Sequence, residues 1–163
     1  MTYSNVFYGI AVYIRQLISE SLGKNGLGIN PILFEGNIDQ HSQLQSYLDG
    51  LPDKFFTILI PTHITNNNNT KITNTTISEL THLKDKTLSD INTLQIKSVI
   101  NLLKKKKKNL RILEINSVNE IFISEIITCF MLETILYAKV NNIDPFTQTA
   151  IESMKDTVEK TII

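Results

Sequence analysis

The side chains able to do chemistry in this chain gather in three short clusters, each at a helix end or an element junction. The first pairs Gln16 with Glu20, one helical turn apart and therefore neighbours, followed by Ser21-Leu22-Gly23-Lys24. The second is Asp39-Gln40-His41-Ser42-Gln43, which places one of only three histidines near a helix start among amides. The third runs from Phe146-Thr147-Gln148-Thr149 through Glu152 to Lys155. Taken singly, each has an ordinary explanation: Glu20 as a solvated carboxylate, His41 as an exposed helix-start residue, Lys155 as a surface lysine. For His41 the alternative is a proton donor or acceptor aimed into a cleft.

The common catalytic templates fail. The chain has no G-x-x-x-x-G-K-[ST] phosphate loop, no G-x-G-x-x-G turn and no G-x-S-x-G elbow. One cysteine and three scattered histidines do not make a zinc site. The five lysines Lys104 to Lys108 read as a solvated helix C-terminus that complements the macrodipole. A nucleic-acid role would want interleaved aromatics and a net basic domain.

The bulk properties narrow the class. A chain of 163 residues, 42% hydrophobic and 20% charged, is long enough for one globular domain with a core of ordinary size. Sixteen basic residues balance sixteen acidic ones, so no net field draws the protein to nucleic acid or to a membrane. Cys129, the single cysteine, allows no internal disulfide and fits a reducing cytoplasm. No segment approaches the roughly 18 to 20 uninterrupted apolar residues of a membrane span. MTYSNVFYGI lacks the basic region and cleavage site of a signal peptide. The expectation is a soluble cytoplasmic domain.

The elements that must position the three clusters follow from periodicity. Val6, Phe7, Ile10, Ala11, Ile14, Leu17 and Ile18 form the stripe of an amphipathic helix over residues 4–22, stopped by Gly23 and Gly26. Residues 29–35 are a strand candidate. Asp39 can cap a helix over 40–49, which Gly50-Leu51-Pro52 ends. Residues 55–60 form a continuous apolar run suited to a strand buried on both faces. Residues 64–76 are Asn/Thr-rich and read as a surface loop. The pattern from 78 to 108 is helical, 110–115 is a third strand candidate, and 118–140 is a long helix apolar over much of its surface. Asp144-Pro145 introduces a last helix, within which Thr149-x-x-Glu152 has the form of a capping box. Helices alternating with short apolar strands argue for an α/β layer fold with a mainly parallel sheet, over one domain spanning 1–163.

Read together, RQLISESLGK (15–24), DQHSQLQSYLDG (39–50), DKFFTILI (53–60) and DPFTQTAIESMK (144–155) resemble the glucose-6-phosphate isomerase family, in its second, C-terminal sugar-isomerase domain. Ala138, Val140-Asn141, Phe146-Thr147-Gln148, Ala150-Ile151-Glu152 and Lys155 follow the family's C-terminal signature. The resemblance covers nearly the whole chain. It implies a three-layer, Rossmann-like α/β domain of the sugar-isomerase (SIS) type, with a small mainly parallel sheet flanked by helices. It also implies conversion between an aldose and a ketose phosphate through a cis-enediol, with no cofactor. Glu20 then corresponds to the base that shuttles a proton between C2 and C1. His41 and Lys155 match residues at the ring-opening end, and Gln16 and Gln148 match glutamines lining the phosphate or sugar side. At a helix start the dipole disfavours imidazolium, so a neutral His41 is expected. In the family this histidine comes from a neighbouring subunit, which implies a homodimer.

The chain departs from the family in several places. Thr147 and Ile151 replace the commoner Asp and Val, and Thr149-Ala150 replaces Pro-Gly. Nothing matches the family's first domain, with its Ser/Thr-rich phosphate loop and an arginine facing the enediolate. Phosphate binding energy drives much of such catalysis, so the chain alone is expected to be nearly inactive. The alternative from another class is a sugar-phosphate-binding module without catalysis. A structural α/β domain that merely looks similar would require four coincidental matches.

Overall fold

The computed structural model describes residues 1–62, 70–73 and 77–162. Most of the Asn/Thr-rich stretch, residues 64–69 and 74–76, lies outside the described residues. The contacts divide the chain into two units: Met1–Gly9 with Phe34–Val118, and Ile10–Leu33 with Asn119–Ile163.

The first unit is built on two parallel strands, β1 (Phe55–Pro61) and β2 (Asn109–Ile115), in register from Phe55 opposite Asn109 to Pro61 opposite Ile115. β1 is rich in the aromatic and β-branched residues that suit a pleated, covered surface, and β2 adds Ile112 and Ile115 among leucines. On the other edge of β1, Leu59 N–H donates to Met1 O at 2.9 Å, and Thr2 forms parallel bridges to both Leu59 and Glu35. The order is thus Glu35, Thr2, β1, β2, parallel throughout. The strand expected over 29–35 is reduced to this one bridge at Glu35. Pro31 has no N–H to give a ladder, and the facing segment, Met1-Thr2, offers only one bridging residue.

A parallel pair needs a long crossover, and α4 (Leu88–Lys105) supplies it. The helical pattern expected from 78 to 108 divides in two. A 3-10 turn, Ser78–Leu83, is separated from α4 by Asp85 at φ 62 and by a capping box. In that box Thr87 Oγ1 accepts from Asp90 N–H at 3.1 Å, while Asp90 Oδ2 accepts from Thr87 N–H at 2.9 Å. The hydrogen bond from the Thr87 backbone holds the Asp90 carboxyl below its usual range. From α4, Ile96, Val99, Ile100 and Leu103 enter a core shared with Tyr3, Phe34, Tyr47, Phe56 and Ile58. The Tyr47 ring lies 5.6 Å from that of Phe34 and 5.7 Å from that of Phe56. At its C-terminus α4 closes with Lys108 N–H on Leu103 O and Lys107 N–H on Lys104 O, with Lys107 at φ 51. This is a Schellman motif whose left-handed position, normally a glycine, is a lysine. Lys106 meets Asp49 at 2.6 Å on the exposed surface.

The second unit contains α1 (Tyr8–Leu22) from Ile10 onward, α5 (Glu120–Val140) and α6 (Thr149–Ile162). Its local core is Leu22, Ala138 and Ile143, with Ile18 and Tyr137 packed against it. Asn119 Oδ1 caps α5 by accepting from Phe122 N–H at 2.9 Å. By length and composition α5 could cross a membrane, with a mean hydropathy of 1.7 in its best window, more apolar than the sequence expectation allowed. Its buried residues, Ile126, Phe130, Thr134 and Ala138, recur every four positions, the single-sided pattern of a helix packed against protein. Leu132, Leu136 and Val140 are exposed. Helix α6 has no buried residue, and its apolar stripe of Ile151, Met154, Val158 and Ile162 faces solvent.

Candidate functional site

Glu20 sits in the last turn of α1, on the solvent side. Gln16, one turn earlier, donates from Nε2 to Glu20 Oε1 at 3.0 Å. Gln148 Nε2 donates to the other oxygen, Oε2, at 3.4 Å across 128 residues of sequence. Each carboxylate oxygen therefore holds one neutral amide donor. An ionised carboxylate has about four lone-pair sites, so both oxygens keep capacity to accept a proton from a substrate. Neutral donors orient the group without the full ion pairing that a lysine or arginine would impose. The Gln148 contact is at the long end for a hydrogen bond, and such contacts commonly tighten only with substrate in place.

The ends of both helices are built to hold this arrangement. Beyond α1, Gly23 N–H bonds to Ser19 O, and Gly28 packs so closely over the helix end that a Cβ there would lie 2.4 Å from Leu22 O. Beyond α5, Asn142 takes the left-handed conformation at φ 55, Ile143 N–H reaches Ala138 O at 2.8 Å, and Ile143 packs with Ala138 and Leu22. This second Schellman motif, with its hydrophobic contact, reverses the chain. Asp144 Oδ1 then accepts from Phe146 N–H at 2.9 Å. Gln148 is where α6 begins, because its carbonyl accepts from both Ile151 and Glu152 N–H. Thr149, expected to form a capping box with Glu152, is already helical, and Gln148 is the residue before it.

His41 belongs to the first unit. The expected single helix over 40–49 is a short α2 (Gly36–Asp39), a turn, and α3 (Leu44–Asp49). His41 is exposed in that turn, between α2 and α3, rather than inside the first turn of one helix. Asp39 is committed elsewhere. Its Oδ2 accepts from Glu35 N–H at 2.7 Å and its Oδ1 from Gln43 Nε2 at 2.9 Å, which ties the start of α2 to the turn. Gln40 Nε2 lies 3.3 Å from His41 Nε2, so the amide next to the histidine bonds its ring.

Lys155 is exposed on α6 and has no hydrogen-bond or ion-pair partner among the described residues. Gln148, Glu152 and Lys155 recur at i, i+4 and i+7, so Lys155 lies on the same side of α6 as Gln148, about 10 Å along the axis. The second unit thus brings Gln16, Glu20 and Gln148 together and leads a face of α6 from them to Lys155. One participant escaped the sequence reading. Lys24 Nζ donates to Asp144 O at 2.5 Å and lies 3.4 Å from Thr147 Oγ1, both contacts on the exposed side. No local signal announces a contact across 120 residues.

Comparison with known proteins bears out the likeness read from the sequence. The chain is 31% identical over 153 residues to a probable glucose-6-phosphate isomerase of Methanococcus maripaludis, covering 93% of this chain and 34% of that protein. It is 32% identical over 151 residues to the probable enzyme of Natronomonas pharaonis, covering 92% of this chain and 34% of that protein. A shorter stretch of 48 residues, 29% of this chain and 12% of the relative, is 54% identical to glucose-6-phosphate isomerase of Methanocaldococcus jannaschii. The chain therefore spans about a third of the length of the curated relatives it matches. No family model matches it. Among solved structures, a hypothetical protein of Thermus thermophilus superposes with a TM-score of 0.86 at 22% identity, over 99% of this chain and 40% of that one. That likeness shows a shared fold.

Proposed function

We propose that this chain, similar over most of its length to about a third of glucose-6-phosphate isomerase, supplies the general base for interconverting glucose 6-phosphate and fructose 6-phosphate through a cis-enediol. Glu20 takes the proton from one of the two adjacent carbons and returns it to the other. Gln16 and Gln148 hold its two oxygens and line the sugar side, while His41 and Lys155 serve ring opening. The rest of the site, including the grip on the phosphate, comes from a first sugar-isomerase domain or from a second copy of the chain in a homodimer. The domain is of the sugar-isomerase type, works in the cytoplasm and needs no cofactor.

The observation that carries this reading is the Gln16–Glu20–Gln148 contact. It unites residues from the first and last of the four matching stretches around a carboxylate with free accepting capacity. The test is an isomerase assay of the 163-residue polypeptide, alone and mixed with a polypeptide carrying the first domain. Activity only in the mixture is expected. Normal turnover by the chain alone, or none in a mixture that forms a complex, overturns the reading.

One observation favours the second reading, a sugar-phosphate-binding module without catalysis. Glu20, Gln16, His41, Gln148 and Lys155 are all exposed, whereas proton abstraction profits from a closed, water-poor site. Binding of a sugar phosphate by the complex, with no exchange of the C2 proton for solvent deuterium, would decide for it.

A further inference from the structure

The loop between α5 and α6 carries Gln148, and three fixtures hold it. At its start the Schellman turn at Asn142 and Ile143 anchors the backbone to α5. At its end the Gln148 amide rests on Glu20. Between them Lys24, two residues beyond the end of α1, supplies a hydrogen-bonding tie: its ammonium takes the Asp144 carbonyl at 2.5 Å and lies 3.4 Å from Thr147 Oγ1. Lys24 is itself held in place: its N–H bonds to Leu22 O at 2.7 Å, and its carbonyl accepts from Leu27 N–H at 3.0 Å. A charged donor on a carbonyl makes a stronger and shorter bond than a neutral pair; this one acts four residues before the glutamine it would place, and the weaker contact to Thr147 acts one residue before it.

We propose that Lys24 is a positioning residue: by clamping Asp144 and Thr147 it sets the contact between the Gln148 amide and the Glu20 carboxylate, and the side chain at position 147 tunes the clamp. The ordinary reading is a surface lysine whose contacts contribute little. Against it stands the direction of both contacts into one four-residue stretch, Asp144 to Thr147. The clamp explains why an exposed loop presents Gln148 to a group on a different helix. A neutral hydroxyl at 147 is a weak second acceptor for an ammonium, and a carboxylate there would form an ion pair. The functional value of the clamp rests on Glu20 being the base; the contact does not.

The test uses the intact 163-residue chain labelled with nitrogen-15. The side-chain amide signal of Gln148, assigned by its loss in Gln148→Leu, is followed while Glu20 is titrated, and Glu20→Gln supplies the spectrum without that titration. The signal is expected to move with Glu20 protonation in the parent chain, to stop moving in Lys24→Met, and to move again in Lys24→Arg. In Thr147→Asp it keeps moving, and its hydrogen exchange slows. Continued movement in a folded Lys24→Met chain overturns the proposal, as does a parent signal indifferent to Glu20. If Lys24→Met does not fold, Thr147→Asp decides, because unchanged exchange of the Gln148 amide there overturns the clamp. An inactive mixture in the isomerase assay, with these spectra as expected, would sink the catalytic reading and leave the clamp standing.

Discussion

Gln148 and Glu20 stand 128 residues apart in sequence, yet the amide of one donates to the carboxylate of the other at 3.4 Å. Gln16 meets the same carboxylate from within its own helix. If Glu20 is the base, Glu20→Gln keeps the shape and the amide neighbours but removes the proton acceptor. In the mixture with the first domain, kcat is expected to fall by about a hundredfold to ten-thousandfold, the usual worth of a general base, with KM little changed. A fall in substrate affinity at constant kcat would assign Glu20 to binding instead.

Tyr3 is buried in the first core, yet its hydroxyl has no hydrogen-bond partner among the described residues. Burial raises its phenol from the ordinary 10.0 to about 12. A raised acid favours its neutral form in the fold, so the stability it contributes is full below pH 10 and is lost as pH rises through about 12. Tyr3→Phe removes an unpaired polar atom at little cost in volume. Urea denaturation near neutral pH should show a change within about 1 kcal/mol of zero, or a gain. The Tyr3 share of the alkaline loss should vanish with it.

Lys107 occupies the left-handed position that ends α4. A side chain there costs about 1 kcal/mol that glycine does not incur. Lys107→Gly should therefore raise the urea midpoint by a corresponding amount, with no change in slope. A loss of stability would mean that the lysine side chain contributes more than its backbone geometry costs.

Leu132, Leu136 and Val140 make an exposed apolar row on α5, with Val140 at 81% exposure, and α6 carries a second such row. Patches of this kind drive association. Sedimentation of the chain should show concentration-dependent oligomers, reduced by Leu136→Lys with Val140→Lys. A clean monomer at high concentration would count against it.

Much of this was legible in the sequence, for identifiable reasons. The residues of β1, β2, α1 and α5 carry strong local patterns, and each formed within a residue or two of expectation except at the first turns of α1. The sequence singled out Gln16, Glu20 and Gln148, and the three meet in one unit, a contact the grouping of Glu20 with His41 and Lys155 did not foresee. What failed was decided by partners that no local window contains. Residues 29–35 have strand-like composition but face a segment that pairs through one residue. The place of His41 depended on whether Asp39 would cap the following helix or bind back to Glu35, and the backbone of Glu35 won. Lys24 lay in plain view within SLGK, but its acceptors lie 120 and 123 residues away.

A helix that buries nothing is held by little beyond its own hydrogen bonds, and α6 is such a helix. Segments of this kind open with a free energy near zero, long before the core does. Trypsin should therefore find Lys155 and Lys160 first, and trim the chain there while α4 and the two strands stay intact. The same fragility makes α6 a reporter. A polypeptide that lay on this helix would reveal itself as protection from cleavage at Lys155, measurable on a gel with neither substrate nor turnover.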